Sequence, residues 1–498
     1  MNVILISACV ILIAILMSYL RKSKNKRLNE LLAQFPSYRK YPLIGNAYML
    51  FGPLDGLLSR FENIMKHDRV TFWLGPVPCL FLKKYDDIAA VFTQSTDRDF
   101  LGTIDEFVGV SIMNAPHEEW KLSKKMVAPA FSSKMLTKYE ETFKSNALEL
   151  IEKLKPIANS GKEIDTRKLM LRATLDVLVE TLYGVSTKAG GKVAEDFCGY
   201  SLDAVELTVK RIQMPWLTLH YINKIYLWMI GKPNCVQNFR QYPTVVLKKN
   251  IEDYKNSRHN DDAPDEDDDD KSKSLIDSLV RYSFREPNIS ETRIRDELLG
   301  VLGAGIQSSP LTSSFIMLML AMHQDIQQKA YEEVLKFKNA DGTLNQNDIF
   351  HNMTYLEQCI KESLRMYSPV AITDRRLHKD VVLKDNKVVP ANTLVVALIA
   401  FANYDPDLYK NPEVYDPEHF NEEAVRTRPK TSELTFGIGG RSCVAGKYAM
   451  MFNKTQIAYI LLNYHLSTSV KEFTKEHLCM VLAIESKIGY PIKFTSRR

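Results

Sequence analysis

Cys443 lies in the run Phe436-Gly-Ile-Gly-Gly-Arg441-Ser-Cys443-Val-Ala-Gly446. Arg441 precedes it by two residues, and an apolar helical pattern opens just after it. The thiolate is the metal-binding form of cysteine, and helix N–H dipoles, a nearby guanidinium and a metal cation all favour it. Glycines let backbone pass close to a flat ligand, and Phe436 can wall off water. The plainer alternative is a buried, inert cysteine beside a turn, the usual state of an unpaired cysteine.

Three further groups have chemical spacing. Glu362 and Arg365 fall in the helical stretch YLEQCIKESLRMY, three apart and on one face. Alone, they are equally an ordinary surface ion pair. Trp120 and Lys124 are four apart, again on one helical face. Gln307 and Ser308 sit in the middle of a long helical pattern from Ser290 to about Met322, next to Gly300, Gly303 and Gly305. These glycines weaken a helix but let its backbone approach a flat cofactor. Pro310 removes a backbone donor and predicts a kink near Ile306. Ser290 and Glu291 provide a helix start.

The cysteine run resembles the haem-ligand signature of the cytochrome P450 monooxygenases, Phe-x-x-Gly-x-Arg-x-Cys-x-Gly. Phe436, Gly439, Arg441 and Cys443 match it, while Ala445 stands at the last position. The resemblance implies non-covalent haem b with Cys443 as axial ligand, a thiolate that favours O–O cleavage. It implies that Glu362, Arg365 and His419, the last from Pro417-Glu-His-Phe420, form a triad that locks the core, with His419 replacing the commoner arginine. Trp120, Lys124, Arg375 and Arg441 become the propionate contacts. Lys124 stands where arginine is usual and cannot pair bidentately. Gln307 and Ser308 take the places of the acid and threonine that deliver protons. Serine keeps a hydroxyl, but glutamine cannot shuttle a proton as a carboxylate does. Ala304 offers no carboxylate for a covalent haem link. The implied pocket wall is 105–113, Ala304, Ser308, Val370–Thr373 and Ile484. The phrases YLEQCIKESLRMYSPV and CVAGKYAM look most like the animal clan containing microsomal fatty-acid ω-hydroxylases, including insect members.

The elements that must position these groups are mainly helical. Residues 69–83 read as a hairpin broken at Gly75-Pro76, and 117–256 and 275–367 as mostly helix. Residues 380–400 read as short strands, Lys447 to about His465 as the last helix, and the tail as extended. The predicted fold is mainly α with a small β region, a single large haem-binding domain (47–498) behind an N-terminal anchor. Residues 3–20 carry no charge and as a helix span roughly 27 Å, enough for a bilayer. Arg21, Lys22, Lys24, Lys26 and Arg27 follow, which keeps the body cytosolic and disfavours a cleaved signal peptide. Residues 21–46 make a basic segment and proline-rich hinge, placing the protein on the endoplasmic reticulum membrane.

The 498 residues carry a net charge of +5. The acidic loop 257–274 holds eight acidic groups at 261–270, which leaves the rest at +13. That stretch reads as solvated loop. The basic remainder suits an anionic lipid surface or an acidic redox partner, and no nucleic-acid motif accompanies it. Seven scattered cysteines without a C-x-x-C pair argue against a disulfide framework and a zinc site. No Walker A motif or strand-led glycine fingerprint is present, so NADPH belongs on a separate protein. The implied partners are NADPH-cytochrome P450 reductase, cytochrome b5, O2, membrane lipid and an apolar substrate. Two other functions stay open: a haem-thiolate isomerase or lyase acting on hydroperoxides, and a non-catalytic haem or hydrophobic-ligand binder.

Overall fold

A computed structural model describes residues 26–99, 102–185, 191–258, 274–286, 288–480 and 483–497. The expected anchor and most of the acidic loop lie outside the described residues. No described helix is long and apolar enough to cross a membrane.

Twelve helices carry the argument: α1 (Tyr85–Phe92), α2 (His117–Val127), α3 (Ser133–Leu154), α4 (Thr166–Tyr183), α5 (Gly191–Gln213), α6 (His220–Met229), α7 (Cys235–Arg258), α8 (Leu275–Arg285), α9 (Glu291–Met322), α10 (Gln324–Leu335), α11 (Thr354–Met366) and α12 (Gly446–Asn463). The strands used here are β1 (Arg69–Leu74), β2 (Val77–Leu82), β3 (Thr373–Arg376), β4 (Leu394–Ala397), β5 (Tyr464–Ser467), β6 (Leu478–Met480), β7 (Ile484–Ser486) and β8 (Pro491–Ser496). The predicted hairpin forms with Arg69 opposite Leu82 and Leu74 opposite Val77. It extends to a four-stranded sheet in the order β1-β2-β4-β3, in which β2 and β4 run parallel. Strands β6 and β7 form a separate antiparallel pair.

Lys26–Leu32 is helical, and Arg27 pairs with Asp380. The proline-rich stretch packs on the hairpin: Asn46 donates its N–H to the Trp73 carbonyl at 2.7 Å and accepts from the Trp73 N–H at 2.9 Å.

Helix α9 runs along α4 and against α12 through the middle of the molecule. Ser290 caps it, its Oγ accepting from the Arg293 N–H at 3.2 Å. From Leu311 to Ala321 every residue is buried, so this half is surrounded by protein on all sides, and its polar Thr312 and Ser313 are hydrogen-bonded. The helix stays continuous through Pro310. Its glycines serve neighbours within the protein. A Cβ on Gly300 falls 2.6 Å from Ser111 Oγ, and one on Gly305 falls 2.9 Å from Leu178 of α4. Gly300, Gly303 and Gly305 also line the cavity described below, the space that the sequence assigns to a flat cofactor.

Pro310 has no N–H to offer the Ile306 carbonyl four residues back. Pro310→Ala restores that bond while removing only part of a buried ring. It is expected to stabilise the protein by about 1–2 kcal/mol, read as a higher Tm with an unchanged haem spectrum.

Candidate active site

A cavity of about 460 Å³ lies between α9 and the loop that leads into α12. Phe107, Val108, Leu178, Leu182, Val205 and Phe239 give it an apolar wall. Ser308, Gln307 and Ala304 of α9 line it, as do Phe436 and Cys443 of the loop. The charged residues on the described wall are Arg98, Lys124 and Arg441.

The loop is held by geometry that only its sequence allows. Gly437 and Gly439 both have φ +74°. A Cβ at Gly439 meets the Phe92 carbonyl oxygen at 2.3 Å, so this residue fits the loop against the end of α1 and is not itself on the cavity wall. The Cys443 N–H donates to the Phe436 carbonyl at 2.7 Å, closing the turn just before α12. Cys443 is solvent-accessible, and the space it meets is the cavity. Dense protein around it desolvates the thiol and raises its pKa, against the pull of the Ala445 N–H and the Arg98 charge. A metal cation in the cavity reverses that balance and takes the thiolate. The other described cysteines are also free, and none lines the cavity.

Three guanidinium groups crowd the edge beside Cys443. Arg441 donates to the carbonyls of Thr96 at 2.7 Å, Ile112 at 3.0 Å and Ala115, and lies over the Trp120 ring at 4.7 Å. Arg375 donates to the carbonyls of Ser95 at 3.0 Å and Asp374 at 2.6 Å, with its guanidinium 4.4 Å from the Phe92 ring centroid. Arg98, which the sequence reading missed, reaches the Met113 carbonyl at 3.5 Å. Lys124 adds a fourth cation, donating to the Gly440 carbonyl at 3.3 Å. Burial, then repulsion from Arg98, pushes the pKa of Arg375 down to about 8 and that of Arg441 down to about 9. Arginine does not lose its proton in proteins. The depression is therefore an unmet demand for negative charge, which Asp97 and Asp374 only partly supply. Carbonyls satisfy the N–H donors but carry no net charge. A flat group with a carboxylate edge and a central metal fits both the cations and Cys443.

Behind this edge, Glu362 and Arg365 form a fully buried bidentate pair, with both N···O distances 2.7 Å. His419 Nδ1 lies 3.0 Å from Glu362 Oε1, and its Nε2 lies 2.6 Å from the Lys410 carbonyl. A carbonyl only accepts, so Nε2 carries a proton; the carboxylate favours a second on Nδ1. The hydrogen bond to Glu362 raises the pKa of His419 against burial. Burial opposes the charge on Glu362, but the bonds from Arg365 and His419 outweigh it and hold the carboxyl below its ordinary range. The Asp416 N–H also donates to Glu362 at 3.0 Å.

On the opposite wall, Ser308 Oγ donates to the Ala304 carbonyl at 2.8 Å. Its lone pairs remain able to accept from water. Gln307 Nε2 donates to Glu485 Oε1 at 3.1 Å. Of the expected pocket wall, Phe107, Val108, Ile112, Met113, Ala304, Ser308, Val370, Ile372 and Thr373 line the cavity, whereas Ile484 is buried in the core away from it. The stripe Ser201, Ala204, Val205 and Thr208 of α5 also lines it; its helical spacing was legible, but nothing in it named a pocket. Glu106 ties the elements around this region. It accepts from Arg211 of α5 and from Asn223 Nδ2 of α6 at 3.0 Å, while Arg240 of α7 donates to its carbonyl at 2.9 Å.

Comparison with known proteins agrees with this geometry. The family model for Cytochrome P450 matches residues 36–491. The chain belongs to the cytochrome P450 family, a class of haem-thiolate monooxygenases that bind haem b through a cysteine. It is 26% identical to cytochrome P450 4g1 of Drosophila melanogaster, over 95% of this chain and 91% of that protein. It is 25% identical to cytochrome P450 4c21 of Blattella germanica, over 95% of each. Identity to cytochrome P450 4F4 of Rattus norvegicus is 26%, over 80% of this chain and 78% of the rat protein.

Two results follow from the buried triad. Glu362→Ala leaves Arg365 and His419 without their carboxylate and is expected to cost about 3–5 kcal/mol. The raised pKa of His419 gives stability that is complete below the unfolded value near 6.5 and is lost as pH rises through the folded value. Tm is expected to fall above about pH 6.5 more steeply in the native protein than in His419→Arg, whose charge persists. Parallel Tm curves for the two rule out a charged His419.

Proposed function

We propose that this chain inserts one oxygen atom of O2 into an apolar small molecule such as a fatty acid, terpenoid or xenobiotic. Electrons come from NADPH through a membrane flavoprotein reductase, with cytochrome b5 as an additional donor. The supporting observation is one cavity that carries Cys443 and a cluster of cations at one side, Ser308 across from a turn-held loop, and otherwise apolar walls. Haem b, when bound, supplies the reductive activation of O2 that no side chain can perform. Cys443 would hold the iron. Arg441, Arg98, Arg375, Trp120 and Lys124 would hold the carboxylate edge. Phe436 shields the sulfur from water. Ser308 keeps a water at the α9 wall, and the apolar wall binds substrate by excluding solvent. Glu362, Arg365 and His419 fix α11 to the segment that leads to the loop, without touching substrate.

Membrane attachment belongs to the same reading. Besides residues 3–20, the folded body exposes Leu219, Tyr221, Ile225, Trp228 and Met229 on and beside α6. Phe51 lies 6.5 Å from Trp216, so the segment after the hinge joins this face. A patch of large apolar residues is characteristic of a lipid or protein contact, and its neighbourhood to the hinge favours lipid. We place the body on the cytosolic side of the endoplasmic reticulum.

Cys443→Ala is expected to abolish the thiolate-type carbon monoxide spectrum; persistence of that spectrum assigns the iron to another ligand. Reconstitution with reductase and a panel of fatty acids, terpenoids and toxins is expected to give an oxygenated product that requires NADPH. Product from hydroperoxides without NADPH instead identifies an isomerase. Vesicles of brominated lipid are expected to quench Trp216 and Trp228 fluorescence in the full chain, and Trp228→Ser to remove much of that quenching.

A further inference from the structure

Helix α9 offers a hydroxyl at Ser308 but no carboxylate beside it, because residue 307 is glutamine. A glutamine amide donates and accepts hydrogen bonds but has no titrating proton in the working range. The structure brings a carboxylate to the same place from elsewhere. Glu485, on β7, accepts from Gln307 Nε2 at 3.1 Å through one oxygen and from Arg167 Nη1 of α4 at 3.3 Å through the other. Its side chain is 22% exposed, whereas Gln307 lines the cavity. Glu485 is thus partly open to water and bonded to a residue of the cavity wall, without lining the cavity itself. Two other acids on α9 compete for this role. Glu297 accepts from the Ile112 N–H at 2.8 Å but lies eleven residues from Ser308, roughly 16 Å along the helix. Asp296 is engaged by Arg240 at 2.8 Å. Neither sits next to the hydroxyl.

We infer that Glu485 is the proton-relay carboxyl of this protein, held behind Ser308 by Gln307 as its positioning residue. The inference rests on the monooxygenase reading. Insertion of one atom of O2 leaves the other as water, so each turnover takes two electrons from the reductase and two protons from solvent. Glu485 accepts a proton from outside and passes it through water toward Ser308, returning to carboxylate each time. It need not be protonated at rest. Groups facing it are Arg167 from α4, Gln307 from α9, Tyr490 after β7, and Cys479 on the paired strand, whose thiol contacts the Glu485 carbonyl at 3.6 Å. Lys487 and Asp55 lie beyond Cys479.

The test uses the full-length, haem-loaded chain with reductase and a fatty acid that yields product. Glu485→Gln is expected to lower the fraction of NADPH electrons recovered in product by about tenfold or more, with a larger solvent isotope effect. Exchanging the pair, Gln307→Glu with Glu485→Gln, is expected to restore most of the coupling, because one acid and one amide again meet. A second readout needs no turnover. The infrared carboxylate band lost in Glu485→Gln is expected to shift in frequency in Gln307→Leu, because the carboxylate then loses the amide hydrogen bond. Native coupling in Glu485→Gln, an exchanged pair no better than the single variant, or a carboxylate band unmoved by Gln307→Leu overturns the inference alone. A native protein that consumes no NADPH overturns the monooxygenase reading with it.

Discussion

Burying positive charge without enough negative charge is the constraint from which the site is built. Arg98, Arg375 and Arg441 share a desolvated corner that Asp97, Asp374 and, for Arg441, Glu297 do not fully offset. A folded protein tolerates this where the missing charge arrives with a ligand. Backbone carbonyls from 95–96 and 112–115 hold the guanidiniums in place meanwhile, so the corner is shaped before anything binds. The same corner would fix which edge of a flat group lies beside the cations while Cys443 meets its metal. Removing the cations would leave a thiol on an apolar wall, and little else to orient a cofactor.

The second support is the wholly buried charge network of Glu362, Arg365 and His419. It differs from the cation corner because its charges are matched within the protein. Arg365 also donates to the Asn403 carbonyl at 2.9 Å, and Asn403 returns a bond to the Arg365 carbonyl at 2.9 Å. The network therefore joins α11 to two stretches of irregular chain that no regular hydrogen-bond ladder could hold. Irregular chain needs such fixed points if it is to present a cysteine reproducibly.

Much of this was legible in the sequence where spacing reports on local structure. The hairpin turn at Gly75-Pro76, the Ser290 cap and the three-residue step from Glu362 to Arg365 are local signals, and each took the expected form. Long-range partners were not legible. Arg98 sits in an Asp-Arg-Asp run that reads as solvated surface, and only folding brings it beside Arg441. The glycines of α9 announced a close approach and do line the cavity, but their second contacts, Ser111 and Leu178, were not legible. Ile484 was placed on the pocket by the resemblance, yet it packs into the core. Gln307 read as a lost acid because its partner lies 178 residues away.

Glu106 joins the short turn before the cavity to α5, α6 and α7 at once. A residue that ties three helices to one turn makes their positions depend on one another, so displacing that turn disturbs α5, α6 and α7 together.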